Sequence, residues 1–295
     1  MIVKSSSGIH FQLNKENSTA SIVHSPDANG DLFIPRSIIF DAKSYEIISI
    51  GEKSFKNNDK INSVVFSNDS KVEIIEKDAF SFSSISKISI SDFVSQIGEK
   101  CFSFCYNLSN IEFTEKSQLK TIENDSFTGS SICSISIPKS VTKIGSRSFY
   151  GCYNLKNVSF SEDSEITSIE DETFTMSSIE KISLPFQVRE IGEDAFAGCE
   201  NLSVVDFHDS ELLVIKKGAF SFTSIEKIDI PMHVNIIRDE CFYGCKFLKK
   251  VEFKKNSELK SIGKEAFYGC TFENISIPPY VNQVGKNAFS KCSNL

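Results

Sequence analysis

Two neighbouring stretches decide the fold: FSFCYNLSNIEFTEKSQLKTIENDSF, Phe102 to Phe127, and FTGSSICSISIPKSVTKIGSRSF, Phe127 to Phe149. Each runs from one phenylalanine preceded by a small residue to the next, over 25 residues in the first and 22 in the second. Both carry an aliphatic residue, two variable ones, a second aliphatic, one variable and a last apolar residue in the same frame. Leu108-x-x-Ile111-x-Phe113 and Ile132-x-x-Ile135-x-Ile137 are the two instances. Alternation at Ile135 and Ile137 predicts a short strand with one buried face, because successive strand side chains point to opposite sides. In the short stretch Pro138 follows the strand and, having no N–H to donate, ends the ladder there. The long stretch has the polar loop TEKS instead.

Worked outward, this frame covers almost the whole chain. The spine position recurs at Phe55, Phe80, Phe102, Phe127, Phe149, Phe174, Phe196, Phe220, Phe242, Phe267 and Phe289. Intervals of 25 and 22 alternate, with one of 24 between Phe196 and Phe220, where the loop shortens to HDS. Pro185, Pro231 and Pro278 repeat the role of Pro138. A unit of this length with one strand cannot bury its own apolar face, whereas stacked units can, with parallel strands about 4.8 Å apart. The expected fold is a β-rich solenoid, a right-handed parallel coil of about eleven repeats of 22–25 residues. Its spine takes up much of the unusual count of 26 phenylalanines, and Phe66, Phe113, Phe160, Phe207 and Phe253 close the long-unit strands.

Composition fits a soluble globular chain, with 40% hydrophobic and 24% charged residues. A net charge of −7 argues against a nucleic-acid surface, which needs basic patches. No run reaches the roughly 20 apolar residues of a membrane helix, so no insertion by this segment is expected. MIVKSSSGIH at the N-terminus lacks the apolar core of a secretory signal.

Along the spine the repeat reads I-x-I-P-x-x-V-x-x-I-G-x-x-A-F-x-x-C-x-x-L. Leu184-Pro185, Val188, Ile191-Gly192, Ala195-Phe196, Cys199 and Leu202 fill it position by position. From Asp31 to Leu295 the chain resembles the BspA-type branch of leucine-rich-repeat proteins, a surface-antigen-like family. The resemblance implies a leucine-rich-repeat solenoid with no catalytic residues or cofactor to carry over. It also implies a protein-binding module at the cell surface or secreted, with an adhesion or recognition role and a host or extracellular-matrix protein as partner. The alternative is an intracellular leucine-rich-repeat scaffold in the cytoplasm, which fits the missing signal and the largely unpaired cysteines.

The two ends differ. Residues 1–35 do not repeat: Ile9, Phe11 and Leu13 alternate, as do Ala20, Ile22 and Val23 loosely, around the polar run NKENST. They read as a hairpin capping a single continuous repeat domain, 36–295. Leu295 stands six residues after Phe289, as Leu108 does after Phe102, so the final coil is expected to be incomplete and its edge covered by further chain or by a partner.

Candidate chemistry sorts by column. Cys105, Cys152, Cys199, Cys245 and Cys292 stand three residues after their spine Phe, where Ser83, Ser130, Ser177 and Thr223 stand in the intervening coils. The column asks for something small, and a buried structural cysteine fits it. Cys270 falls between Cys245 and Cys292 on adjacent coils, leaving a disulfide open. Cys101 and Cys241 replace Ala or Ser, and neither they nor the four scattered histidines have metal-site spacing. Gly145, Gly192, Gly263 and Gly285 share one repeat position, marking either a positive φ or close packing. The outward strand position is the candidate partner-binding column, above all Glu112, Ser159, Asp206, Asp229 and Glu252. Asp206, Asp229 and Glu252 are expected on consecutive rungs, with Lys181, Lys227 and Lys250 beside them to neutralise the repulsion or a basic segment or Ca²⁺ bound over them.

Overall fold

The computed structural model describes residues 1–295 except Asp209, Glu273, Asn294 and Leu295. The chain is a β-solenoid of about eleven turns with no helix among the described residues. The expectation drawn from Leu295 lies outside the described residues. Two compact units divide it, Met1–Phe149 and Tyr150–Leu295.

The first unit opens with β1 (Ile2–Lys4), β2 (His10–Asn14) and β3 (Thr19–Val23), an antiparallel meander. Its inward side chains, Phe11, Leu13, Ala20 and Ile22, are buried, which is why the pattern was readable as a hairpin. The third strand, β1, carries no alternation strong enough to announce it. β4 (Gly30–Ile34) already behaves as a coil strand, since it pairs in parallel with β7 (Ile61–Phe66). Between them β5 (Ser37–Phe40) and β6 (Lys43–Ile50) form an antiparallel hairpin that the repeat frame does not contain. Its two-residue turn, Asp41-Ala42, has both φ positive, at 51° and 55°, the geometry that matches strand twist but that usually advertises itself with glycine.

From β7 to Ser261–Ile262 each coil supplies two short strands, and the last coil supplies one, Gln283–Val284, among the described residues. One set, Lys87–Ser89 and Asn110–Glu112 after β7, forms the strand face. The other lies just before the spine: Ile74–Ile75, Gln96–Ile97, Thr121–Ile122 and Lys143–Ile144 continue the parallel ladder that begins with β3 and β6. The second unit repeats this, with Ser168–Ile169, Glu190–Ile191, Val214–Ile215, Ile236–Ile237, Ser261–Ile262 and Gln283–Val284 in one unbroken six-stranded ladder.

The third corner is the spine. In the first unit the Phe rings from Phe55 to Phe149 stack at 5.0 to 5.3 Å, and in the second those from Phe174 to Phe289 stack at 5.2 to 5.5 Å. Rings this close, fully buried from Phe55 through Phe267, contribute packing well beyond their area alone. Within each unit the spine amides, from Phe55 to Phe127 and from Phe174 to Phe267, also donate to the carbonyl of the residue before the next spine Phe, as from Phe80 to Cys101 at 2.8 Å and Phe196 to Ala219 at 2.8 Å. The residue two before every spine Phe is left-handed, from Lys53 and Asp78 to Glu265 and Asn287, and only at Gly218 is it glycine. Non-glycine residues there cost about 1 kcal/mol each, offset by the amides that the bend aims at the next coil.

The four glycines of the repeat position are explained by close packing, since none has a positive φ. A Cβ on Gly192 would lie 2.5 Å from the amide nitrogen of Asp171 in the preceding coil, and one on Gly145 2.6 Å from that of Asn124. Strands end at Ile137 and Ile230, directly before Pro138 and Pro231, and Val141, Val188, Val234 and Val281 each donate to the proline carbonyl three residues back, closing a turn at 3.0 to 3.3 Å.

Candidate partner-binding surface

The cysteine columns prove to be interior. All nine cysteines are free thiols, Cys270 included, and Cys101, Cys105, Cys152, Cys199, Cys241, Cys245 and Cys270 are buried. In the main column the thiol donates to the carbonyl of the preceding spine Phe: Cys105 to Phe80 and Cys199 to Phe174 at 3.0 Å, Cys245 to Phe220 at 3.1 Å. Ser177 and Thr223 hydroxyls stand 3.3 Å from Cys199 and Cys245, so hydroxyl and thiol alternate in one polar thread along the core. Burial pushes Cys105 up to about 12 and Cys199 and Cys245 up to about 11, and raises Cys101, Cys241 and Cys270 as well. Such thiols are poor nucleophiles. The histidines stay apart: His10 meets the His24 carbonyl, His208 pairs with Asp206 and His233 with Glu258. No group of His, Cys, Asp and Glu able to hold a metal occurs among the described residues.

The strand face presents the candidate column, because each outward residue sits between two apolar residues of the inward set. Glu112, Ser159, Asp206 and Asp229 are exposed and Glu252 is half-buried, on five different strands. In the first unit Glu112 is opposite Ser89 in the ladder and accepts its hydroxyl at 2.7 Å, while Lys87 lies 3.0 Å away. These donors, Ser89 first, hold its carboxyl below the usual range. In the second unit Ser183 is opposite Asp206, and Asp229 opposite Glu252. Lys227 reaches Glu252 at 2.8 Å and Asp229 at 3.1 Å, and Lys250 also grips Glu252. Hydrogen bonding from Lys227, then Lys250, draws Glu252 down to about 2. Cross-strand neutralisation therefore holds for Glu252, whereas Asp229 is met by Lys227 of its own strand. Lys181 does not take part, and Asp206 is met instead by the His208 ring at 3.3 Å and the His208 amide at 2.8 Å.

The expected run of consecutive rungs needs correction. In the first unit the strand ladder stops after Asn110–Glu112, with no pairing to Ser134–Ile137. In the second it stops after Val204–Asp206, so Asp206 and Asp229 are not on paired strands, and the next pair is Lys227–Ile230 with Lys250–Phe253. Both breaks fall where a long unit hands over to a short one, where the loops differ in length. At the second break the face opens into a cleft of about 710 Å³, lined on one side by Val204, Asp206 and His208 and on the other by Lys227 and Asp229. A further depression of about 490 Å³ follows beyond Lys250–Phe253. The 24-residue interval was the one sequence signal for this irregularity.

The turn side carries features the repeat frame did not flag. Phe82 stacks on Phe104 at 4.9 Å with Tyr106 beside it, and Tyr243 stacks on Tyr268 at 4.8 Å. Their signal was an aromatic one or two residues after the spine Phe. Gly129 and Gly244 seat the Phe104 and Phe222 rings of the preceding coils, since a Cβ there would lie 2.6 and 2.8 Å from a ring carbon.

Comparison with known proteins agrees with this architecture. A leucine-rich-repeat protein from Bacteroides ovatus ATCC 8483 is 25% identical, with a TM-score of 0.66 over 98% of this chain and 92% of that one. The pneumococcal vaccine antigen PcpA, 19% identical, shares the fold with a TM-score of 0.52 over 97% of this chain and 93% of its own. No curated protein matches the sequence. The model of the BspA type leucine rich repeat region matches in six copies, over residues 36–156, 120–246 and 167–295. The chain belongs to the BspA-type leucine-rich-repeat family.

Proposed function

We propose that the chain is a non-catalytic protein-binding module, displayed at the cell surface or secreted, that recognises a host or matrix protein through its strand face. One observation carries this reading. Within each unit the coils keep the same buried positions, while the outward column changes among Ser, Glu and Asp from coil to coil. A repeat array of that kind holds ligand choice in its surface residues, here Glu112, Ser159, Asp206, Asp229 and Glu252. Kinship with a family whose fold is shared by a vaccine antigen supports the surface assignment.

The nine free thiols favour a second reading, a scaffold in a reducing compartment. Protease shaving and surface biotinylation of intact cells separate the two. Labelling and cleavage of the protein on intact cells are expected, and protection in both assays overturns the surface assignment. Binding itself is tested on a panel of immobilised matrix proteins, with Ser159→Arg and Ser183→Arg expected to abolish whatever capture the unaltered chain shows. Capture that survives both substitutions overturns the strand face as the binding surface.

A further inference from the structure

We propose that the cleft at the ladder break in the second unit receives a basic side chain, arginine in first place, from an extended segment of the partner. This rests on the strand-face reading and names the chemistry it recognises. Three observations converge. The first is the break itself: between Val204–Asp206 and Lys227–Ile230 no ladder bond forms, so backbone polar groups that a continuous sheet would satisfy are left facing an opening of about 710 Å³. The second is charge. Glu252 and Asp229 are met by lysines, but among the described residues Asp206 has only His208 as an ion-pair partner, and that ring is cationic only when protonated. Of the two lysines that line the cleft, Lys227 is held by Asp229 and Glu252, and neither it nor Lys254 forms an ion pair with Asp206 among the described residues. The third is the mixture of surfaces. Val204 is 46% exposed beside the carboxylates, giving an apolar wall for the stem of a long side chain while its charged head reaches Asp206 and Asp229.

Arginine fits this better than lysine. Its planar guanidinium donates along several directions at once, to carboxylates and to backbone carbonyls, and is less strongly hydrated than an ammonium. No comparable demand exists at Glu112 in the first unit, where Ser89, Lys87 and Asn110 already occupy the carboxylate.

The probe is hexa-arginine, with hexa-lysine and hexa-glutamate alongside, titrated onto the full chain by calorimetry at low and physiological salt. The isosteric double variant Asp206→Asn/Asp229→Asn should weaken hexa-arginine binding about tenfold. A charge-matched control away from the cleft, Glu16→Gln/Asp163→Asn, should change it less than about twofold. Hexa-lysine should bind more weakly than hexa-arginine, and hexa-glutamate not at all. Equal weakening by both double variants means general attraction to an acidic chain and overturns the proposal, as does hexa-arginine binding indifferent to both. If Ser159→Arg still abolishes capture on the matrix panel in that case, the cleft assignment fails alone and the strand face stands.

Discussion

Every coil of this molecule has a spine corner and a strand face, and the two are built on opposite principles. At the corner the coils of each unit are tied together by stacked rings, by spine amides and by thiols that donate to the preceding carbonyl. Around the spine Phe the residue before it is Ala, Ser, Cys or Thr, and the residue three after it is Ser, Thr or Cys in every coil but the first, which has Asn58. On the strand face the ladder is interrupted, the outward residue changes from coil to coil, and neighbouring charges are exposed. The corner therefore holds the array together with little help from the face, which leaves the face free to carry recognition. That contrast can be broken by experiment.

The sharpest test is alkali, because the corner buries thiols and the face does not. In the unfolded chain these thiols ionise near 9.0, but in the folded chain Cys105 waits until about 12 and Cys199 and Cys245 until about 11. Below pH 9 both states are protonated and stability has its full value. Above it the unfolded chain releases protons that the folded chain keeps, so stability falls by about 1.4 kcal/mol per pH unit for each thiol until the folded values are reached. Melting temperatures by circular dichroism should drop steeply between pH 9 and 11. The triple variant Cys105→Ser/Cys199→Ser/Cys245→Ser should flatten that slope, and an unchanged slope would mean that lysine or tyrosine titration governs it.

Next comes the spine itself. Phe220 is fully buried, stacked 5.2 Å from Phe196 and 5.5 Å from Phe242, with Phe207 edge-on at 6.0 Å. Phe220→Ala should cost about 3–5 kcal/mol in chemical denaturation, because rigid neighbours on both sides cannot collapse into the cavity. Phe82→Ala, on a ring already 48% exposed, should cost far less. Comparable losses would show that the stacked rings on the turn surface share the load. Third in size is Gly192→Ala. The added methyl would meet the Asp171 amide nitrogen and the Glu170 carbonyl carbon at 2.5 Å, and backbone cannot yield as a side-chain tip can. A loss of about 1–3 kcal/mol is expected, whereas a neutral result would mean that adjacent coils slide apart easily.

How much of this was legible in the sequence follows the same division. The spine, the period and the Cys column could be read because each position recurs with nearly one residue type, and period alone forces stacking. Gly192 was legible as special but not in kind, since close approach and a positive φ both select glycine. The left-handed residues were hidden because Lys53, Asp78 and Glu172 carry the bend without glycine, held by hydrogen bonds to the next coil. The β5–β6 hairpin was hidden for the same reason, its turn being Asp41-Ala42. On the strand face the alternation showed correctly which residues point outward, including all five candidates. It could not show that the ladder parts between Asp206 and Asp229, because the same alternation recurs in strands that do pair, such as Lys181–Ser183 with Val204–Asp206.

The smallest effect is expected at the most highly charged point of the face, and it tests the contrast from the other side. Glu252 is gripped by Lys227 and Lys250, and its carboxyl is drawn down to about 2. A depressed carboxylate stabilises the fold at pH values above its unfolded value of 4.5 and loses that contribution as pH falls through about 2. The unaltered chain should therefore lose stability slightly faster than Glu252→Gln between those limits. At neutral pH the pair is open to solvent, so water and salt screen most of the attraction. Glu252→Gln should melt within replicate scatter of the unaltered chain at pH 7, and 1 M salt should erase what difference remains, while leaving the losses from Phe220→Ala and Gly192→Ala in place. A fall as large as that of Gly192→Ala would mean that the ion pairs bind the coils together. The face could not then change its charges without endangering the fold, and the freedom on which its role in recognition depends would be gone.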